Sequence, residues 1–471
     1  MQLSKKNIII FFSLIISILL SVYFVNKFDA YHLDGRTHVM LKEETYAHWR
    51  QGALIIEQLK NKVNFFITGN EVFTKPLPQR IVALYSVILN FEIMDIETQS
   101  INLGYKLPFL ILQSLIYYLS VLFFYKHLSS YFNERIKIIV LLFLCLEPTI
   151  NQFHSSFWTE SYYFSIQLII FGLTLKLSKT NIDFLMLGFL LGVLFLQRTI
   201  GLFYIFIIIF YFIFFTNEKK FKIFFLTLAP YILIIFLLGM HNYLRADRFY
   251  FIPTESSYSQ YRYFTRSILV SKLNKSINEI NKSEIKKAKD WIDTELPEAK
   301  KFDLELNKSL LELARSIDDE NLRISFYGFI SKRNKEILLE YPLETIKKAI
   351  KGAVHFSVLN PFFIYYDYEY FKNYGSNIIG DFYFSEKHKE LIPYRIFYSG
   401  IIYFVVIFGI LKLLRQNFKL SILCIISVLY YYVLLGWYGK TRLFVPTLIY
   451  FSIFFGVGLD FLISKIKKIT Y

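Results

Sequence analysis

Cysteine is nearly missing: the chain has only Cys145 and Cys424 in 471 residues, and both fall inside apolar runs. That excludes a disulfide framework and a cysteine-held metal centre. Acidic residues are missing from the middle of the apolar runs and scarce in the short segments between them. No repeat with a period of about 20–50 residues appears, so a solenoid is excluded. Nor is there an inverted repeat of the hydropathy pattern, a mark of many transporters. The first apolar run, Asn7 to Val25, follows Lys5 and Lys6 as a secretory leader would, but no small-residue cleavage site follows it. A retained span is therefore expected there.

What the chain has is apolar length. It is 55% hydrophobic and 19% aromatic, with 51 Phe and 36 Tyr, far too apolar for a soluble domain. The excess comes in runs of roughly 17 to 22 residues, enough to cross about 30 Å of hydrocarbon. The formal charge of +16 is equally uneven. Six short segments carry Lys5 and Lys6; Lys126, Arg135 and Lys137; Lys176 and Lys179; Lys219, Lys220 and Lys222; Lys412, Arg415 and Lys419; and Lys465, Lys467 and Lys468. Against these 16 bases stand three acids, Glu134, Asp183 and Glu218, a net +13. Short loops rich in Lys and Arg stay in the cytoplasm, so the charge is a topology signal. Nucleic acid is not an expected partner.

Placing those six segments inside predicts an all-α polytopic membrane protein of about ten spans. They cover residues 7–25, 106–125, 137–152, 160–177, 183–200, 201–216, 222–241, 396–414, 419–437 and 443–463. Both termini are then cytoplasmic. Residues 26–105 and 242–395 lie outside, with short external turns near 151–160, 198–201 and 437–443. The stretch Ile81 to Ile93 is short for a span, and a span there would invert every later loop; a helix in the outer interface is expected. Residues 200 and 201 leave very little room for a turn. From Ser271 to Glu340 the chain has Lys, Glu, Leu and Ile at helical spacing with a break at Pro297, which predicts a helical external cap. The expected domains are residues 1–241, a membrane module that includes the loop 26–105; residues 242–395, the cap; and residues 396–471, the last membrane helices.

Ionisable residues gather at the predicted external span ends: Asp29, Asp34, Glu43 and Glu44 within sixteen residues of one another, then Lys75, His154, Glu160, Arg198, His241 with Arg245, and Lys440 with Arg442. Taken singly, each fits a solvated acid or a snorkelling anchor. Jointly, segments far apart in sequence deliver charge to one membrane face. A transporter site would sit near the midplane; this pattern favours an enzyme at the outer interface.

Five places resemble the GT-C superfamily of polyprenyl-phosphate-sugar glycosyltransferases, in particular the family of protein O-mannosyltransferases and the lipid A aminoarabinose transferase. They are Leu33-Asp34-Gly35-Arg36-Thr37-His38 leading into Glu43-Glu44-Thr45-Tyr46; Phe73-Thr74-Lys75-Pro76-Leu77-Pro78; Pro148 followed by Thr159-Glu160; the glycine-spaced run from Leu187-Gly188 to Gly192, ending at Gln197-Arg198-Thr199; and His241-Asn242-Tyr243 with the late Thr441-Arg442-Leu443-Phe444-Val445-Pro446. The family's adjacent Asp-Glu pair is not present as such. Thr74 stands where the lipid A enzymes have an acid, which weakens a claim for a bound metal.

The resemblance implies inverting transfer of a hexose or pentose from a lipid phosphate to a lipid, glycan or protein acceptor, at the external face of a cell inner membrane. A carboxylate must accept the acceptor's proton: Asp34 is the first choice, Glu44 the second and Glu43 the third. The leaving phosphate needs Arg and Lys or a divalent metal, and Lys75, Arg198 and Arg442 match the basic positions. Glu160 would hold a sugar hydroxyl or orient a cation, and His241 would ligate a metal or bind phosphate. Two alternatives stay open: a lipid-linked-sugar flippase or transporter, and an O-antigen polymerase or ligase. The second relies on arginines in the outer loop, for which Arg262 and Arg266 are available.

Overall fold

The computed structural model describes residues 5–29, 51–62, 68, 76–90, 94–95, 100–101, 106–151, 153–154, 159–216, 220–254, 256–298, 309–317, 319–359, 391–438 and 441–470. They are helical apart from turns and one antiparallel ladder, Met94–Asp95 against Ser100–Ile101. The helices of the apolar bundle are α1 (Lys5–Asp29), α2 (51–60), α3 (Pro76–Leu89), α4 (Lys106–Leu128), α5 (Glu134–Leu146), the single turn α6 (Pro148–Asn151), α7 (Glu160–Leu175), α8 (Asn181–Gln197), α9 (Tyr204–Phe215) and α10 (Lys220–Ala246). A second group follows: α11 (Ser256–Gln260), α12 (Arg266–Leu273), α13 (Ile277–Glu295), α14 (Leu310–Arg315), α15 (Glu320–Glu340) and α16 (Pro342–Ser357). The chain then returns to the bundle as α17 (Leu391–Gln416), α18 (Phe418–Leu435) and α19 (Leu448–Thr470).

Among the described residues, six helices of 18 residues or more are apolar enough to cross a membrane: α1, α4, α10, α17, α18 and α19. The chain is a multi-pass integral membrane protein. The expected ten spans include α5, α7, α8 and α9, apolar helices that run for 13, 16, 17 and 12 residues. The tight connection at residues 200 and 201 is a one-turn 3-10 helix, Thr199–Gly201. A Cβ on Gly201 would come within 2.8 Å of the Phe195 backbone nitrogen, so only glycine lets the chain double back on the end of α8.

Polar side chains cap the helix starts. Asn133 and Asp319 accept backbone N–H groups of α5 and α15, and Thr180–Asp183 and Ser276–Glu279 form reciprocal boxes at α8 and α13. Two crossings need glycine for another reason. Gly188 of α8 lies against the Thr227 carbonyl of α10, and Gly409 of α17 and Gly458 of α19 lie against the Phe454 and Val405 carbonyls; a side chain at any of these would strike backbone. Small residues are how spans approach closely inside lipid.

The basic segments collect at one end of the bundle. The Lys6 and Lys137 ammonium groups stand 5.9 and 5.0 Å from the Tyr125 ring centroid, Arg135 pairs with Asp460 at 3.2 Å, and Lys176 with Asp183 at 2.8 Å. Lys412 and Lys465 flank Phe461. These contacts join the start of α1, α5 and α8 to the end of α4, α7, α17 and α19. The α11–α16 group stands at the opposite end on cores of its own, one of them including Ala246, Tyr261, Ile292, Phe326 and Ile330. As expected, the helix breaks at Pro297: α13 ends at Glu295 with Leu296 as its cap; Pro342 opens α16. Helix α3 begins five residues before the expected stretch Ile81 to Ile93 and covers it as far as Leu89, residues 91–93 lying outside the described residues; Val82, Ala83 and Tyr85 are buried and Leu84, Val87 and Ile88 exposed.

Candidate active site

At the end away from the lysines, α7 begins and α8 stops side by side. Glu160 is in the first turn of α7, and Arg198 caps the C-terminus of α8 in extended backbone. Each charge suits its helix terminus, an anion at the positive end and a cation at the negative end. The Arg198 Nη1 donates to Glu160 Oε1 at 2.6 Å; the two side chains are 9% and 0% exposed. Beside them Gln197 Nε2 donates to the Thr159 carbonyl oxygen at 2.9 Å, tying the two helix ends together. The Arg198 guanidinium stands 5.9 Å from the centroid of the Tyr163 ring, whose hydroxyl meets that of Tyr431 at 2.9 Å.

This corner is fastened to the late 3-10 helix Thr441–Thr447, which contains Arg442. Seven residues along α7 from Glu160, Gln167 Nε2 donates to the Pro446 carbonyl oxygen at 3.2 Å and to the Tyr450 hydroxyl at 2.8 Å. Tyr204 shares Tyr450's hydroxyl, so four helices meet on buried hydroxyl groups. In hydrocarbon such groups must find one another, because no water is there to serve them.

A second polar knot borders the pair. Glu147 follows the last residue of α5; its Oε2 accepts from the Ile150 N–H at 2.8 Å, and its Oε1 accepts from the Tyr398 hydroxyl of α17 at 2.7 Å. Asn151 donates to the Cys145 carbonyl oxygen at 2.7 Å and accepts from Tyr118 at 3.2 Å. His154, in the turn before α7, is fully buried and stacks on Tyr117 at 3.5 Å between centroids. Its Nδ1 is 2.8 Å from Ser161 Oγ, while Nε2 has no partner among the described residues. Burial lowers its imidazole to about 3, so the ring is neutral at physiological pH.

No protein-family model matches this chain, and no curated protein matches it in sequence. Solved structures do. The apo crystal structure of the Archaeoglobus fulgidus oligosaccharyltransferase matches with a TM-score of 0.50 and 14% identity, over 97% of this chain and 51% of that one. The likeness is one of fold, to that oligosaccharyltransferase. AglB, the oligosaccharyltransferase of the same archaeon, in complex with an inhibitory peptide and a dolichol-phosphate, matches at 0.48 and 12%, covering 97% and 50%. The oligosaccharyltransferase tethered to an acceptor peptide matches at 0.47 and 14%, with the same coverage. The chain thus spans about half the length of the structures it matches.

Of the sequence-predicted site residues, Glu160 and Arg198 are brought into direct contact. His241 is buried near the end of α10, next to Asn242, which donates to the Tyr250 carbonyl oxygen at 2.6 Å. Arg245 makes a two-nitrogen pair with Glu320 at 2.7 and 3.2 Å, joining α10 to α15. Asp34, Glu43, Glu44 and Lys75 lie outside the described residues, as does the Arg442 side chain. The loop arginines of the polymerase reading serve the second helical group. Arg262 stands 5.4 Å from the Tyr263 ring centroid, and Arg266 donates to Asn281 Oδ1 at 3.3 Å. Among the described residues, no group of three or more His, Cys, Asp or Glu is placed to hold a metal ion. Sequence reasoning passed over Glu147; the signal was an acid directly before Pro148 at the end of an apolar run.

Proposed function

We propose that the chain is a membrane glycosyltransferase that moves a hexose or pentose from a polyprenyl-phosphate donor to a lipid, glycan or protein acceptor, inverting the anomeric carbon. The observation that carries this reading is the buried Glu160–Arg198 pair, at the lysine-poor end of a bundle with the fold of an oligosaccharyltransferase. Transfer needs a base, a cation for the leaving group and a dry apolar path for the lipid. Asp34, backed by Glu44 and then Glu43, takes the proton from the acceptor hydroxyl. The freed oxygen attacks the anomeric carbon from the face opposite the phosphate, and the bond from that carbon to the phosphate oxygen breaks. Charge then grows on the departing polyprenyl phosphate. Arg198, with Lys75 and Arg442, is the cation set that meets it through charge-assisted hydrogen bonds. Glu160 orients Arg198, which gives its cation-orienting role a named partner. His241 is a further group that binds the phosphate or ligates a metal.

By the distribution of Lys and Arg, both termini and the lysine-rich end face the cytoplasm. The site then faces the outside of the cell inner membrane, residues 26–105 supply its catalytic loop and residues 242–395 cover it as a cap. The test is transfer by the purified protein in proteoliposomes, using polyprenyl-phosphate hexoses and pentoses labelled in the sugar, with membrane-lipid and peptide acceptors. Label should leave the donor for an acceptor as free polyprenyl phosphate appears. Donor that crosses the bilayer intact, with no phosphate released, would make the protein a flippase.

A further inference from the structure

Helix α16 has three faces. One is packed: a Cβ on Gly352 would stand 2.5 Å from the Trp437 carbonyl oxygen, so the helix backbone rests directly on the turn after α18. On the same side Phe356 is fully buried, edge-on to Tyr432 and Phe444 with centroids 5.3 and 5.2 Å away, and the Ser357 hydroxyl is 2.6 Å from that of Tyr432. The second face carries Leu343, Ile346, Ile350 and Val354 at three- and four-residue spacing, each between 56% and 72% exposed. The third carries Lys347, Lys348 and Lys351. The acid in the first turn, Glu344, is bonded to Lys347 at 2.9 Å.

An uninterrupted apolar stripe facing water is not an ordinary feature of a folded surface. Its surroundings say what covers it. Leu339 of α15, four residues before Leu343, is 71% exposed. The chain after α16 is bonded to α17: Tyr403 donates to the Ser357 carbonyl oxygen at 2.9 Å, and the Leu359 N–H donates to Ser399 at 2.9 Å. Helix α17 is one of the six helices fit to cross the bilayer, and its Tyr394, Phe397, Ile401 and Phe404 are exposed. The stripe on α16 thus leads to a span that has an exposed apolar face of its own.

We infer that α16 lies in the membrane interface, with its Leu343-to-Val354 stripe among the upper acyl chains and its lysine row on the phosphates of anionic lipids. An apolar stripe beside a row of lysines is the pattern of a helix lying on a bilayer. Lysine stems lie along apolar surface while their ammonium groups reach the phosphate layer. The helix thereby anchors the α11–α16 group to the bilayer. The inference needs only that the bundle spans a membrane, so it stands apart from the transferase proposal.

The test places an environment-sensitive fluorophore on Ile350→Cys, and on Lys282→Cys of α13 as a control, in proteoliposomes. Native Cys145 and Cys424 are buried and stay unlabelled while the protein is folded, which reports on integrity. Lipids with a nitroxide high on the acyl chain should quench the Ile350→Cys label severalfold more than the control, and aqueous iodide should do the reverse. Equal iodide quenching at both sites, with no lipid quenching, would overturn the assignment. So would energy transfer between labels on separate chains that fades on dilution into lipid, since a second copy would then cover the stripe. Adding phosphatidylglycerol to neutral vesicles should deepen the lipid quenching, and the combined Lys347→Gln, Lys348→Gln, Lys351→Gln variant should lose that gain. A gain that survives in the triple variant would refute the role of the lysines.

Discussion

Glu160 and Arg198 are the residues on which the site turns, and their pairing has a measurable cost. Burying two charges is repaid only when each has the other, so removing one partner leaves an uncompensated charge worth about 3–5 kcal/mol. Glu160→Ala and Arg198→Ala should each lower the unfolding midpoint in detergent. Glu160→Leu combined with Arg198→Met should cost less than the two alanine losses added together, because no lone charge remains. Additive losses would mean that the two groups do not interact. Each residue was legible singly, as a charge at an apolar run's end. The bond between them was not, since hydropathy gives the ends of α7 and α8 but not the register in which side chains 38 positions apart meet. For the same reason Tyr163, Tyr204, Tyr431 and Tyr450 read from the sequence as part of an aromatic excess, whereas their hydroxyl groups pair inside the bundle.

Helices α13 and α15 are joined by Glu284, which accepts from Arg333 at 2.9 Å and Lys287 at 2.8 Å. Burial alone would raise this carboxyl, but the two cations more than offset it and hold it below the usual carboxylate range. A depressed carboxylate stabilises the fold fully above its unfolded pKa of about 4.3. That contribution is lost as pH falls through the lower folded value. Hydrogen-exchange protection of Ile277–Glu295 should therefore drop on acidification. In Glu284→Gln it should be weaker already at neutral pH, with a smaller acid step. Equal protection in both proteins at neutral pH would count against the pair. Elements were the most legible scale: the break at Pro297 and the helices at the expected spans follow from apolar length and punctuation. The turn at residue 201 was harder, because it depends on a backbone approach that only the fold reveals.

For the molecule as a whole, the clustering of lysines at one end of the bundle predicts sidedness. In intact cells with any outer barrier opened, an impermeant thiol reagent should label Ser276→Cys, whereas Lys222→Cys should react only after the inner membrane is broken. The opposite pattern would invert the topology. An all-α membrane fold was legible from the apolar runs, and the likeness to an oligosaccharyltransferase is one of fold. Where each span ends was less legible, because α5, α7, α8 and α9 are apolar helices of only 13, 16, 17 and 12 residues. The central claim is that an acid after the first span takes the acceptor's proton during transfer from a lipid phosphate. It is tested most directly by the rate of sugar transfer in Asp34→Asn, compared with Glu43→Gln and Glu44→Gln, in protein that still inserts and folds. Loss of the base should slow Asp34→Asn by about 10²–10⁴-fold; a loss in Glu44→Gln instead would move the role ten positions along, and wild-type rates in all three variants would contradict the account.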